Sequence, residues 1–255
     1  MRGLGVGSPG IGIDPREGPV TYQLGEVFNE AGFPEVTYVQ PKEAQQLKGS
    51  LATPGKHVTL VGPSGSGKST VAAKVLSTLN FAETDVLTIS GRNYSTFQSI
   101  LDVFGSIFAV APTAGDIEEW LRVYKLVVID DVHHLTLAAR TELASHLKLW
   151  HERGIRLFMI GIAKTSEAIL GQDPELAIRN DSWHLGPQDE DFARELLSKG
   201  QRALNIEFPT QAMQTAVDAA QGSPSILQAI ARIACVAADV LEEQQATREV
   251  PIDLR

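Results

Sequence analysis

Lys68 and Ser69 close the run Gly62-Pro63-Ser64-Gly65-Ser66-Gly67-Lys68-Ser69, which satisfies every fixed position of the phosphate-binding pattern G-x-x-x-x-G-K-[ST]. Glycines open backbone conformations closed to other residues, so successive amide hydrogens in such a loop can converge on a polyanion. The Lys68 ammonium is then within reach of β- and γ-phosphate oxygens. The Ser69 hydroxyl is placed to ligate Mg²⁺, with neighbouring Thr70 the lesser choice for the metal. Downstream, the apolar run Leu126-Val127-Val128-Ile129 ends on two carboxylates, Asp130 and Asp131. Asp130 is expected to hold the Mg²⁺ shell through water, and Asp131, one residue further, to polarise an attacking water. Taken alone, the first run also reads as a Gly/Ser-rich turn and the second as a buried strand leaving into a polar turn. Their joint occurrence favours a nucleoside triphosphate as ligand, with loss of its terminal phosphate as the chemistry.

The elements that must position these residues are legible on either side of them. Residues 57–61 read as a buried strand entering the loop, and Val71, Ala72, Val75 and Leu76 recur at helical spacing after it. Further strands are expected at 36–39, 85–90, 126–131 and 155–160, with helices at 42–51, within 95–108, at 115–123 and at 135–150. Strands alternating with helices imply an α/β fold: a parallel sheet with helices on both faces, three layers in all, the phosphate loop lying at its carboxyl edge. After Pro187 the pattern turns to helices only, at 189–204, 210–220 and 223–241, which suggests a small all-helical lid. The expected organisation is a flexible Gly- and Pro-rich segment 1–20, a P-loop core 21–187, the lid 188–241, and a tail 242–255 that is either disordered or docked on a partner. Phe97, Phe104, Phe108 and Trp120 fall at helical spacing and read as core.

Composition narrows the function classes. At 255 residues the chain can bury a full core. It has no run of roughly 20 apolar residues and no basic-then-apolar start, so the expectation is a cytoplasmic protein without a membrane partner. Its single cysteine, Cys235, excludes an intrachain disulfide and reads as core packing. A net charge of −9 disfavours broad nonspecific binding to nucleic acid but leaves room for a local basic strip. His133-His134 and the pair His146 and His151 lack zinc-ligand spacing. No Leu-Ser-Gly-Gly-Gln-like signature marks a transporter ATPase, and no Asn-Lys-x-Asp reads guanine, so adenine is the favoured base.

Over residues 30–241 the layout resembles the AAA+ ATPases and their signalling relatives, the STAND ATPases, most specifically through the two Walker motifs described above. The resemblance implies an ATP- and Mg²⁺-dependent hydrolase. It suggests Tyr38 and Val39 as an adenine wall, the alternative for 36–39 being a plain edge strand. Gly222 and Pro224 would line the nucleotide at the start of the lid helix. Residues 174–181 resemble the stretch where AAA+ subunits present an arginine to a neighbour's nucleotide. Arg179 is therefore either a finger acting in trans, which implies a homo-oligomer, or a member of a surface ion pair. Three departures from the motor pattern stand out. Asp131 replaces the usual glutamate, Ser225 stands where the lid arginine is expected with Arg232 two turns beyond, and the end of the fourth strand is apolar, with Lys164 or Thr165 the nearest polar substitutes. These departures favour a slow switch, controlling self-assembly or a separate effector protein in a bacterial defence or signalling setting. The alternative is an AAA+ helper acting on DNA, of the transposition or replication-initiator type, and a third reading is a nucleotide-binding scaffold with negligible turnover.

Overall fold

The computed structural model describes residues 21–109, 113–162 and 178–252. The segment 1–20, Lys164 and Thr165, and residues 174–177 lie outside the described residues.

Five parallel strands form one sheet in the order β2-β3-β4-β1-β5: β1 (His57–Val61), β2 (Val86–Ser90), β3 (Leu126–Asp130), β4 (Leu157–Gly161) and β5 (Asn180–His184). Successive side chains on a strand point to opposite faces, and the core divides accordingly. Val127, Ile129, Leu157 and Met159 face one layer, where α4 (Ile100–Phe108), α5 (Ala114–Leu121) and α6 (Leu137–Glu152) contribute Phe104, Leu121, Leu143 and Trp150. Val58, Leu60, Val128, Phe158 and Ile160 face the other, against Leu47 and Leu51 of α2 (Ala44–Ala52) and Val71 and Val75 of α3 (Lys68–Ser77). Trp120, expected in the core, is 46% exposed and stacks on Phe108 with ring centroids 5.4 Å apart.

Strand β5 has no counterpart in the sequence reading. Asn180-Asp181-Ser182-Trp183-His184 carries one large apolar residue, yet it pairs with β1 from His57↔Asn180 to Val61↔His184 and forms the sheet edge. Conversely, residues 36–39, expected as a strand, form a turn followed by irregular chain. Val39 there packs with Leu24, Val27 and Phe28 into the core of the C-terminal helical unit instead of the sheet. That unit comprises α7 (Glu190–Leu204), α8 (Thr210–Ala220) and α9 (Pro224–Ala237). The short α1 (Leu24–Val27) is laid against it. Phe28 seats against α7 at Gly200, where an added Cβ would lie 2.2 Å from the ring. The tail, expected to be disordered or to dock on a partner, packs on its own chain instead: β7 (Arg248–Glu249) pairs with β6 (Ile206–Glu207), and Val250 and Cys235 are fully buried in the same cluster.

Two buried cations or potential cations fix the base of the sheet. The Arg156 guanidinium donates to Lys56 O, Leu51 O and Ser50 O, tying α2 to the amino end of β4. The His57 ring meets Leu147 O through Nε2 at 2.9 Å and accepts from Leu157 N–H through Nδ1 at 3.1 Å, an arrangement that requires the neutral Nε2–H tautomer. Burial pushes its pKa down to about 4 from the ordinary 6.5. Between those values the unfolded chain takes up a proton that the folded chain refuses. This contribution to stability is thus fully present above pH 6.5 and is lost as pH falls toward 4, by about 3 kcal/mol in all. Urea midpoints are expected to drop across that window; a flat profile would contradict the assignment.

Candidate nucleotide site

The phosphate loop leaves β1 at its carboxyl end and turns into α3, whose first amide groups have no partner inside the helix and point toward the loop. Gly65 and Gly67 have φ of +75° and +87°, a left-handed backbone that strains other residues. Lys68, 9% exposed as a residue, folds back on its own loop, its ammonium donating to Gly62 O at 3.1 Å and Pro63 O at 2.6 Å. Burial lowers its pKa, and Asp131 and Asp130 act against that shift.

Two cavities flank the loop and share Gly67, Thr70 and Ser225 as walls. The first, of about 240 Å³, is bounded by Ser64, Gly65, Lys68, Ser69, Arg92, Asp131 and His133. The second, of about 330 Å³, is bounded by Tyr38, Val39, Ser66, Val71, Phe192, Leu196, Pro224 and Gln228 among others. The two cavities adjoin at these shared residues, the first lined mainly by polar side chains and the second by a mixture of polar and apolar ones. Three residues that line the second cavity, Ser66, Tyr38 and Gln228, each carry a buried side-chain oxygen (Oγ, Oη and Oε1) with no hydrogen-bond partner among the described residues. Left unmatched, such atoms cost about 1–3 kcal/mol each.

The acids sit where β3 ends. Asp131 adopts φ of +53°, and the turn brings its carbonyl so near Gly91 that a Cβ there would lie 2.5 Å away. Its carboxylate is held by Arg92 Nε at 2.5 Å. Asp130 stands behind it, with Oδ1 accepting the Asp131 N–H at 2.7 Å. Ser69 and Asp130 offer the hydroxyl and carboxylate oxygens that Mg²⁺ prefers, so these residue types fit that ion. Asp131, His133 and His134 also bring one ligand atom each within 4.8 Å of one another. The histidine spacing had pointed away from any metal role. Arg92 and Lys68 crowd the same carboxylate with positive charge, and burial holds His133 below the usual histidine range, toward the neutral ring.

The C-terminal helical unit meets the loop directly. Gly65 O accepts from Ser223 Oγ at 3.2 Å and faces Ser225 N at 3.4 Å. Pro224 and Ser225 line the second cavity, whereas Gly222, at φ of +76°, packs behind them on Pro187 and Gln188. Arg232 pairs with Glu30 at 3.3 Å. Arg179 precedes the end of β5 that pairs with His57, and so lies at the opposite end of β1 from its own phosphate loop. Its Nη2 is 3.8 Å from Glu152 Oε1. The sequence reading missed Arg92 and Gln228 as wall residues. The position of Arg92 just past the end of the strand beside β3 was the available signal for the first.

Residues 52–169 match the family model described as "AAA domain". The matched stretch spans somewhat under half of the chain, and with the sheet order and the loop it gives this part of the chain the α/β P-loop fold. Similar solved structures include Cdc6p from Pyrobaculum aerophilum, 17% identical with a TM-score of 0.61, the alignment covering 87% of this chain and 67% of that one. The ADP form of the Aeropyrum pernix ORC2 protein is 16% identical with a TM-score of 0.61, covering 84% and 67%. The ORC1 protein of the same organism, in complex with DNA, is 15% identical with a TM-score of 0.59, covering 88% and 66%. At these identities the likeness concerns the fold. No curated protein matches in sequence. Among the described residues, no helix is long and apolar enough to cross a membrane.

Proposed function

We propose that the chain is a slow ATP-hydrolysing switch, in which occupancy of the crevice sets the contact between phosphate loop and helical lid and, through it, assembly or contact with an effector protein. The observation that supports this reading most is the shared wall: the loop that would grip the phosphates is hydrogen-bonded through Gly65 O to the first residues of α9. The loop amides and Lys68 bind the triphosphate, Lys68 exchanging the carbonyls of Gly62 and Pro63 for phosphate oxygens. Ser69 and, through water, Asp130 would hold Mg²⁺, which would supply charge neutralisation for the triphosphate. Asp131 polarises the attacking water, but only once Arg92 releases its carboxylate; a terminal phosphate competes for that guanidinium. The coupling between an incoming anion and a freed base is why slow, conditional turnover is expected. Tyr38, Val39 and Pro224 flank the base.

Arg179 completes the site of a neighbouring copy, consistent with its distance from its own loop. Light scattering is expected to show a larger particle with ATP than with ADP, and Arg179→Ala to lower turnover. A constant particle size, with turnover unchanged by Arg179→Ala, would remove the assembly arm of the reading.

A second reading, action on DNA, is favoured by the ORC1 complex among similar structures and opposed by the charge of −9. Binding to random duplex measured with and without ATP at two salt concentrations separates the two, since phosphate contacts give a steep salt slope.

A further inference from the structure

The turn that closes β3 gathers an acid and two imidazoles whose sequence spacing carries no metal signal. Asp131 precedes a single 3₁₀ turn, Val132–His134, and its carbonyl accepts from His134 N–H at 2.9 Å. Val132, 2% exposed, packs so close to β4 that a Cβ on Gly161 would lie 2.8 Å from its Cγ1. With Val132 fixed in the core, Asp131, His133 and His134 bring one ligand atom each within 4.8 Å of one another, and the imidazole centroids are 4.3 Å apart. The Asp131 carboxylate divides its oxygens: Oδ2 is held by Arg92 Nε, while Oδ1 lies 3.9 Å from His133 Nδ1. That separation is too long for a hydrogen bond, and His133 Nδ1 is buried without a hydrogen-bond partner among the described residues. Two donors about 2.1 Å from one Zn²⁺ ion stand about 3.4 Å apart at the tetrahedral angle and about 4.2 Å apart in line, so one ion can bridge this pair. The two side chains are 20% and 23% exposed and both residues line the smaller cavity, from which an ion can enter.

We infer that Asp131, His133 and His134 form a site for a transition-metal dication of the Zn²⁺ class, separate from the Ser69 and Asp130 pair suited to Mg²⁺, and that its occupancy restrains turnover. The metal site stands without the nucleotide reading; only the effect on turnover rests on that reading. Donor type decides the ion. Imidazole nitrogen suits Zn²⁺ and its neighbours in the first row, whereas Mg²⁺ and Ca²⁺ keep to oxygen. Two imidazoles and one carboxylate are the three protein ligands of an open tetrahedral site, whose fourth position is left to water. Positive charge opposes the ion: Arg92 bonds the other carboxylate oxygen, and Lys68 lines the same cavity. The affinity expected is therefore that of a regulatory site and not of a structural zinc site. An ion on Oδ1, with Arg92 on Oδ2, leaves neither oxygen of Asp131 free to polarise an attacking water.

The test is a calorimetric titration of the full, nucleotide-free chain with Zn²⁺ in a buffer without chelators, with Mg²⁺ titrated in parallel. One molar equivalent of Zn²⁺ is expected to bind with a dissociation constant of about 10 µM or tighter, and Mg²⁺ at least about a hundredfold more weakly. His133→Ala and His134→Gln are each expected to weaken Zn²⁺ by at least about tenfold. Co²⁺ added to the wild-type chain is expected to give the intense visible bands of a tetrahedral site. With Mg²⁺ and ATP, phosphate release is expected to fall as free Zn²⁺ rises and to recover when a chelator is added. No saturable Zn²⁺ uptake below about 100 µM, or uptake unchanged in both folded histidine variants, overturns the inference. A pale, octahedral Co²⁺ spectrum does the same, and decides the matter even where a histidine variant fails to fold. A wild-type rate indifferent to saturating Zn²⁺ overturns the restraint on turnover. Zn²⁺ uptake in a chain that binds no ATP supports the metal site and overturns the nucleotide reading alone.

Discussion

Replacing Lys68 by alanine is expected to weaken ATP binding by at least about a hundredfold, with little change in the melting temperature of the nucleotide-free chain. Hydrogen bonds to charged groups contribute about 1.5–3 kcal/mol each, so two lost contacts to phosphate oxygens amount to two decades or more in affinity. Among the described residues the same ammonium hydrogen-bonds to the carbonyls of its own loop, Gly62 O and Pro63 O, and its burial counts against the charged form while Asp131 and Asp130 favour it. Removing it therefore forfeits modest contacts while relieving a desolvated charge. Calorimetric titration beside a thermal melt checks both halves. A tenfold or smaller loss of affinity would place the phosphates elsewhere in the crevice.

The second large effect concerns turnover. Asp131→Asn is expected to reduce phosphate release by about a hundredfold or more, the range associated with losing a positioned general base, while nucleotide affinity is kept or rises. The rise has a physical origin: without the carboxylate, the Arg92 guanidinium that now pairs with Asp131 is released to the polyanion. Single-turnover phosphate release, with affinity measured separately, distinguishes this from simple damage to the site. Equal rates in wild type and variant would favour the scaffold reading, in which the acid performs no chemistry.

How far these residues could be read without coordinates depends on how local their signals are. The phosphate loop is contiguous, and the strand before it and helix after it carry strong period signals, so Gly62 to Thr70 could be placed residue by residue. The α/β alternation and the three helices of the C-terminal unit were likewise visible, because each buries an apolar face. Strand β5 was not, since an edge strand of Asn, Asp, Ser and His has little apolar pattern and is held by pairing to β1. Residues 36–39 look like a strand by composition, but their apolar side chains are claimed by the lid cluster, a tertiary effect that overrides β-propensity. The same holds for the tail, whose Val250 and Ile252 reveal their role only once a cluster exists to receive them. Arg92, Thr37 and Gln228 are separated in sequence from the groups they serve, and only the fold brings Arg92 to Asp131 and Gln228 to Thr37.

The account turns on one claim, that the crevice between loop and lid takes an adenine nucleotide with its phosphates on the Gly62–Thr70 amides. Isothermal titration of the intact chain with ATP and Mg²⁺ tests it most directly. Saturable uptake of one molar equivalent, sharply reduced in Lys68→Ala, is the predicted result. A folded chain that takes up neither ATP nor ADP with the metal present would contradict it.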